Sequence, residues 1–552
     1  MKRTIGIESA AFLFLALCAS CGSGNMIEPP PPIVVSILPE TAHVIVTQSV
    51  QFTATVYNAD SGGVTWSLSS ADPAYGTLSS SGLYRAPASV PDPPRVWVKA
   101  TSVADTSISA TVEVTIILDA DLWAWISGSD LANQPGVYGT KGILAPTNVP
   151  GARSGAASWM DAQGRLWLFG GESRNDLWQY DPASGQWTWE SGSDAVNKGG
   201  QYGTRGLASP GNFPGARTGA VSWVDSQGRL WLFGGTGLGQ EMPYSGTLGP
   251  LNDVWSFDPG TLEWTWIAGS DTVFQLGVYG TKGVASPSNV IGSRHGAVCW
   301  LDPHGQVWVF GGRGLNSKDM AEGPLNDLWR FDPATLEWTW IAGSDIFSQP
   351  GHYGTKGLRD PANVPGSRYG AISWTDSQGR LWLFGGLGMD AASETGALND
   401  LWMFDPGNLE WTWAAGSDAI KQPGVYGTKG AASPANHPGA RTEAVSWVDP
   451  EDRFWLFGGS GTDSVGNPAR FNDLWLFERS TLLWTWVAGT DAPNQLGVYG
   501  VQGVSNWLNA PGARSGAAGW TDPGGNLWLF GGGGLGTTLA EGSLNDLWRF
   551  VR

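Results

Sequence analysis

The sequence predicts an all-β protein: a six-bladed β-propeller over residues 121–552, preceded by a small β-sandwich over residues 33–118. Three observations lead there. The chain is rich in glycine (80) and tryptophan (33) and poor in charge (14%), a profile of short strands joined by tight turns rather than of helices or disorder. From residue 121 the chain repeats itself six times, in units of about 65–75 residues made only of short strand patterns, as propellers and β-solenoids do. Before residue 118 the alternation of apolar and polar residues has period two, with turn glycines between runs.

The N-terminus precedes both modules. Lys2 and Arg3 are followed by an apolar run from Ala10 to Leu17 and then by Ala19, Ser20 and Cys21. This is the layout of an export signal over residues 1–20, too short to span a membrane. The stretch LCASCGSG resembles a lipobox, the bacterial lipoprotein processing site. The resemblance implies lipidation at Cys21, with Cys18 standing where that family usually has leucine; plain secretion with cleavage nearby is the alternative. Residues 21–32 end in Pro29–Pro32, a stiff extended spacer.

In the first module, Val50–Val56, Val64–Leu68, Val96–Ala100 and Val112–Ile116 alternate, with Gly62-Gly63, Gly76 and Gly82 between them. The series QFTATV, GGVTWSLSS, GTLSSSGLYRAP resembles the bacterial immunoglobulin-like domains of surface proteins, which implies a spacer or stalk.

Within each repeat, strand a is small-residue rich (Ser154–Trp159), strand b is Arg165–Phe169, strand c Asp176–Tyr180 and strand d Gln186–Trp189. Three markers recur. Phe-Gly-Gly ends strand b, as at Gly170-Gly171; Asn-Asp-(Leu or Val)-Trp opens strand c, with Asp176, Asp253, Asp327, Asp400, Asp473 and Asp546; and Trp-x-Trp marks strand d. These markers resemble kelch repeats, the family that includes the galactose oxidase propeller, across about 430 residues. Trp123 and Trp125 form a strand d with nothing before it, and the last unit stops at Arg552 without one. The N-terminal strand d is therefore expected to pair with the C-terminal strand c and close the ring, which leaves no open edge. Five tryptophans per unit account for 30 of the 33, and Trp66 and Trp97 lie in the first module. The thirty are expected in blade packing. Trp507 alone is off template, a candidate ligand contact.

Both the d–a connections, about 25 residues with a YGTKG…P-x-N-x-P-G-x-R pattern, and the variable b–c loops fall on one face. Variable loops on a rigid scaffold commonly carry function. Arg153, Arg217, Arg294, Arg368, Arg441 and Arg514 end the d–a insert near the central channel. By resemblance to kelch proteins that grip acidic partners, they are candidate ligand-binding residues, since the guanidinium fork suits carboxylates and phosphates. Six arginines and six aspartates also make a ring of ion pairs with no ligand, and that structural alternative is favoured because symmetric residues are usually structural. Departures from the repeat carry more information. His295, Tyr369 and Glu443 break the pattern after the arginine in three consecutive units; they are candidate catalytic residues for acid–base chemistry on an acidic sugar, as in kelch-type sugar-acid mutarotases, with drift as the competing explanation.

Other chemistries fit poorly. Galactose oxidase-like copper chemistry needs two histidines and a tyrosine crosslinked to cysteine, whereas the five histidines are scattered and Cys299 takes a strand-a position held elsewhere by serine or glycine. No metal site, disulfide framework, phosphate-binding glycine loop or Ser-His-Asp order stands out, and no cofactor is expected. The net charge of −18 argues against nucleic acid and anionic membrane surfaces, leaving membrane contact to a lipid anchor. The expectation is a monomeric extracytoplasmic binding protein, in the periplasm or at the cell surface, whose loop-rich face takes a protein or carbohydrate. A sugar-acid-acting enzyme is the alternative, and a copper radical oxidase the least favoured.

Overall fold

A computed structural model describes residues 31–89, 91, 93–117, 122–240, 247–463 and 466–552, and the chain divides into two compact units, 1–118 and 119–552. The export segment and Cys21 lie outside the described residues.

The first unit is a set of short β-strands around one core. Arg95–Ser102 and Ser109–Ile117 form an antiparallel pair, flanked by Val64–Leu68 on one side and, in parallel, by Ala42–Ile45 on the other. Val34–Leu38 pairs with Thr53–Tyr57. Period-two alternation has its expected consequence: Val96, Val98 and Ala100 are buried with Val112, Val114, Phe52 and Tyr84, while Arg95, Trp97 and Lys99 face outward.

The second unit is built from antiparallel four-stranded sheets whose strand order follows the chain. In the first, Ala157–Met160 (a), Leu166–Phe169 (b), Leu177–Asp181 (c) and Gln186–Ser191 (d) are neighbours in that order. The arrangement recurs at 221–268, 298–342, 372–415 and 445–488. In the last sheet Ala518–Thr521, Leu527–Leu535 and Glu541–Val551 are completed by Leu122–Ser127, with Leu122 opposite Val551 and Trp125 opposite Trp548. Strand a begins at Ala157 rather than Ser154, because Gly155 has φ +68° and leaves the extended conformation.

Strand b is buried on both faces in every sheet, as expected where sheets stack against neighbours. Aromatic side chains supply the inter-sheet contact: Trp167 meets Phe257 with ring centroids 5.4 Å apart, and Phe169 meets Trp264 at 5.3 Å. The indole of Trp159 donates to the Trp231 carbonyl of the next sheet at 2.9 Å, and Trp300, Trp374 and Trp447 repeat the bond. At the centre, one backbone N–H from each unit donates to the preceding unit. The bonds run Gly219 to Gly155, Gly296 to Gly219, Gly370 to Gly296, Glu443 to Gly370, Gly516 to Glu443 and Gly155 to Gly516, at 2.7–2.9 Å.

In an up-and-down sheet of this order the b–c and d–a connections leave at one end. Four of the b–c connections described here are hairpins: Thr236–Leu238 with Leu248–Pro250, Arg313–Gly314 with Gly323–Pro324, and the extended strands 381–405 and 527–551. Ser460–Thr462 with Pro468–Arg470 is a fifth. In the first unit only a tight turn joins Gly171 to Asn175.

Candidate functional site: the axial mouth and its rim

The six arginines end the d–a inserts and turn inward. Arg294 donates from Nη1 to Asp327 Oδ1 at 2.7 Å and from Nη2 to Oδ2 at 2.8 Å, while Nε and Nη1 also reach the Gly292 and Gly311 carbonyls. Asp327 Oδ2 further accepts the Tyr279 hydroxyl at 2.6 Å and the Trp329 indole at 2.7 Å. The same bidentate pair joins Arg153 to Asp176, Arg217 to Asp253, Arg368 to Asp400, Arg441 to Asp473 and Arg514 to Asp546. Every one of these arginines is about 1% exposed. Burial by itself would raise the Asp176 carboxyl, but Arg153 and the Trp178 and Tyr138 donors outweigh it and hold the group below its ordinary value. Ligand gripping by Arg153, Arg217, Arg294, Arg368, Arg441 and Arg514 is therefore corrected: with four bonds to this chain and no open face, each is the centre of a buried structural network. The tyrosine of each YGTKG segment is part of that network. It stood in the sequence at six equivalent positions, but nothing local says that a loop tyrosine reaches an aspartate 38–51 residues away.

The Asn of each Asn-Asp pair links neighbours. Asn175 donates to the Pro214 carbonyl at 3.3 Å, and Asn545 to the Pro150 carbonyl at 3.2 Å, from the C-terminal strand to the first insert. The YGTKG lysines tie each insert to the end of the following strand d rather than to their own loop: Lys141 Nζ donates to the Gly192 carbonyl at 2.7 Å and lies 4.4 Å from the Trp189 ring centroid, and Lys282, Lys356 and Lys429 do likewise.

One residue beyond the buried arginines the chain comes to the axis. His295 and Tyr369 have ring centroids 6.2 Å apart. The b–c hairpin after His295 adds two charges that sequence reasoning missed: Glu322 lies 3.8 Å from His295 Nε2 and 3.9 Å from Arg313 Nε, and the Arg313 guanidinium is 6.0 Å from the Tyr369 ring centroid. Burial, and then the Arg313 charge, lower the His295 pKa to about 4, so the imidazole is neutral near pH 7. Glu443 stands one ring step past Gly370, exposed, with its N–H on the Gly370 carbonyl at 2.7 Å. The other five residues of the axial ring are glycines with φ between +60° and +68°; Glu443 holds φ +55°. A side chain there costs on the order of 1–2 kcal/mol relative to glycine. The structure thus brings His295 and Tyr369 together and sets Glu443 on the same ring, beside the unit that carries Tyr369.

Among the a strands, Ser222, Cys299, Ser373 and Ser446 line a cavity of about 300 Å³. Cys299 Sγ donates to the Ser222 carbonyl at 3.3 Å, and burial pushes its thiol up to about 12, so it is a small packing residue with little thiolate. Trp507 is on the rim, 42% exposed, at the edge of a cavity of about 380 Å³ between the last two units.

Residues 140–345 match the KLHDC2/KLHL20/DRC7 kelch-repeats domain family. Together with the repeated four-stranded units, this supports a kelch β-propeller. No curated protein matches the sequence. Among solved structures, YjhT is 15% identical, with 74% of this chain and 95% of that one covered and a TM-score of 0.44. A fungal alcohol oxidase of the AA5 family, in complex with copper, is 15% identical, with 94% and 76% covered and a TM-score of 0.38. An auxiliary nutrient binding protein from Bacteroides ovatus is 10% identical, with 94% and 98% covered and a TM-score of 0.39.

Proposed function

We propose that this chain is an extracytoplasmic binding protein. In this reading a lipid on Cys21 anchors it, residues 21–32 and an immunoglobulin-like module over 33–118 hold it away from the surface, and a closed six-bladed kelch propeller over 121–552 presents its loop-rich face to a protein or carbohydrate. Glu443 carries the reading. A glutamate kept at a strained axial position where five equivalents are glycine, beside His295 and Tyr369, is a departure that packing does not require. No cofactor enters, and the acidic chain is monomeric.

A second reading is an enzyme acting on a sugar acid at the mouth. It is favoured by the neutral imidazole of His295 with a phenol and an arginine alongside; neutral His295 accepts a proton, Tyr369 or Glu443 exchanges one, and Arg313 meets the carboxylate. The test is a thermal-shift screen of the full chain with acidic sugars, neutral oligosaccharides and acidic peptides, repeated on Glu443→Gln. A ligand that stabilises the native chain but not the variant supports the mouth as the site, and turnover of an acidic sugar decides for the enzyme. A panel in which Glu443→Gln responds as the native chain does removes the mouth from the binding surface.

A further inference from the structure

The grooves between neighbouring units are repeats of one another, and one of them is different. Each is walled by the end of strand d, the start of the following d–a insert and a three-residue turn that ends in asparagine. The turn carries Pro146, Pro210, Pro287, Pro361 and Pro434 in five inserts and Trp507 in the sixth. The backbone is the same: Asn289 N donates to Ser286 O at 3.0 Å with Pro287 between, and Asn509 N donates to Asn506 O at 3.0 Å with Trp507 between. In the same insert, but outside the wall of this groove, Gln502 replaces the cation that lies over the strand-d tryptophan in the other five.

The consequence is an indole in the wall of this groove where Pro287 and Pro361 stand in its equivalents. The equivalent cavity between the second and third units, about 680 Å³, is lined by Arg205, Asp271 and Glu337 among others, whereas that between the third and fourth, about 470 Å³, has Lys282 and no carboxylate. The sixth, about 380 Å³, has no carboxylate in its wall and one cation, Lys429. That cation is engaged, donating to the Gly489 carbonyl at 2.7 Å and lying 4.3 Å from the Trp486 ring centroid. The rest of the lining pairs an apolar platform, Trp507 and Leu508 (42% and 54% exposed), with the carboxamides of Gln495 and Asn506. Each amide uses one end locally, Gln495 Nε2 on the Pro493 carbonyl and Asn506 Oδ1 under the Leu508 N–H, and keeps the other for a partner.

We propose that this groove binds one or two rings of a neutral sugar, stacked by its C–H face on Trp507 with its hydroxyls on the Gln495 and Asn506 amides. An indole face beside uncharged donors and acceptors matches a pyranose, which is apolar on its ring faces and polar around its edge. The volume is at the small end of ligand clefts, which run from about 300 to 1,000 Å³. An acidic sugar lacks a free cation here, and a second copy of a chain carrying a net charge of −18 is repelled. The inference rests on the reading of the loop-rich face as a binding face, but concerns its rim and not the mouth.

The full chain is titrated calorimetrically with hexasaccharides of glucose, mannose, xylose and N-acetylglucosamine. At least one is expected to bind. Trp507→Pro restores the residue of the other five turns and so keeps the fold; it is expected to weaken binding about ten-fold or more with an unchanged melting midpoint, while Trp507→Phe stays within about three-fold. Glu443→Gln, at the mouth, leaves this binding unchanged. If none of the four hexasaccharides binds, or if Trp507→Pro binds as tightly as the native chain, the inference is overturned. A hexasaccharide lost in Glu443→Gln but kept in Trp507→Pro overturns it too, and leaves the mouth as the binding site.

Discussion

Arg294 and His295 are consecutive residues with opposite characters. Arg294 is about 1% exposed, repeated in all six units and closed off by a bidentate carboxylate. His295 is a quarter exposed, occurs in one unit only and faces Tyr369, Glu322 and Arg313. The step from one to the next crosses from scaffold to surface. Repetition in this chain marks the scaffold, and the proposed binding residues stand where it breaks. A charged residue is therefore a poor guide to function here unless its burial is known.

The sharpest way to break this contrast is to remove a partner on each side. Asp327→Ala leaves the Arg294 guanidinium buried and unpaired and orphans the Tyr279 hydroxyl and Trp329 indole. A loss of about 3–5 kcal/mol in urea-denaturation stability is expected. His295→Ser, which installs the residue of the first unit, is expected to stay within about 0.5 kcal/mol at pH 7. Similar losses from the two would erase the distinction.

Acid exposes the second difference. The folded pKa of His295, about 4, lies below its unfolded value of 6.5, so the unfolded chain takes up the proton first as the pH falls. The contribution of His295 is whole above about pH 6.5, declines as pH falls toward 4 and is flat below. One pKa unit corresponds to about 1.4 kcal/mol; with a quarter of the side chain exposed, a loss of about 1–2 kcal/mol is expected across that window. The difference between native chain and His295→Ser in paired denaturation curves at pH 7 and pH 4 isolates it. A difference that does not change with pH would show that the imidazole is hydrated in the fold.

Glu443→Gly restores the axial glycine. Relief of the positive-φ side chain is expected to stabilise the chain by about 1 kcal/mol, while the mouth loses its ligand response in the same thermal-shift assay. A gain in stability coupled to a loss of binding is the pattern of strain held at a working site; a destabilised variant would mean that the carboxylate supports the fold. The smallest effect is expected at Gln502→Lys, which returns the missing cation to the sixth insert. A gain of about 0.5 kcal/mol fits an exposed cation over an indole, read as a small upward shift in melting midpoint.

Much of the fold was legible because the chain states it six times. Phe-Gly-Gly, Asn-Asp-x-Trp and Trp-x-Trp recur in order with two-residue alternation between them, and the sheets follow that order. Strand boundaries were legible to within a few residues, failing where a glycine with positive φ ends the extended stretch, as at Gly155. The site was legible only as a set of exceptions. His295, Tyr369 and Glu443 stood out by breaking a column, and Trp507 by standing outside the template. Arg313 and Glu322 did not, because they lie in a b–c hairpin with no equivalent to be compared with, and only the fold of that hairpin carries them back to His295.

By itself the sequence determined the repeat, the strand order within each unit and the surplus d strand at one end with its deficit at the other. These follow from local alternation, turn residues and counting, which need no third dimension. Only the tertiary structure decided that Arg153 and its five equivalents belong to aspartates and not to a ligand. A guanidinium and a carboxylate 23–36 residues apart can pair, or can each face solvent, and the choice depends on which of them the stacked sheets bury. Burial is a property of the assembled sheets, and so the difference between scaffold and candidate site appears only when they are stacked.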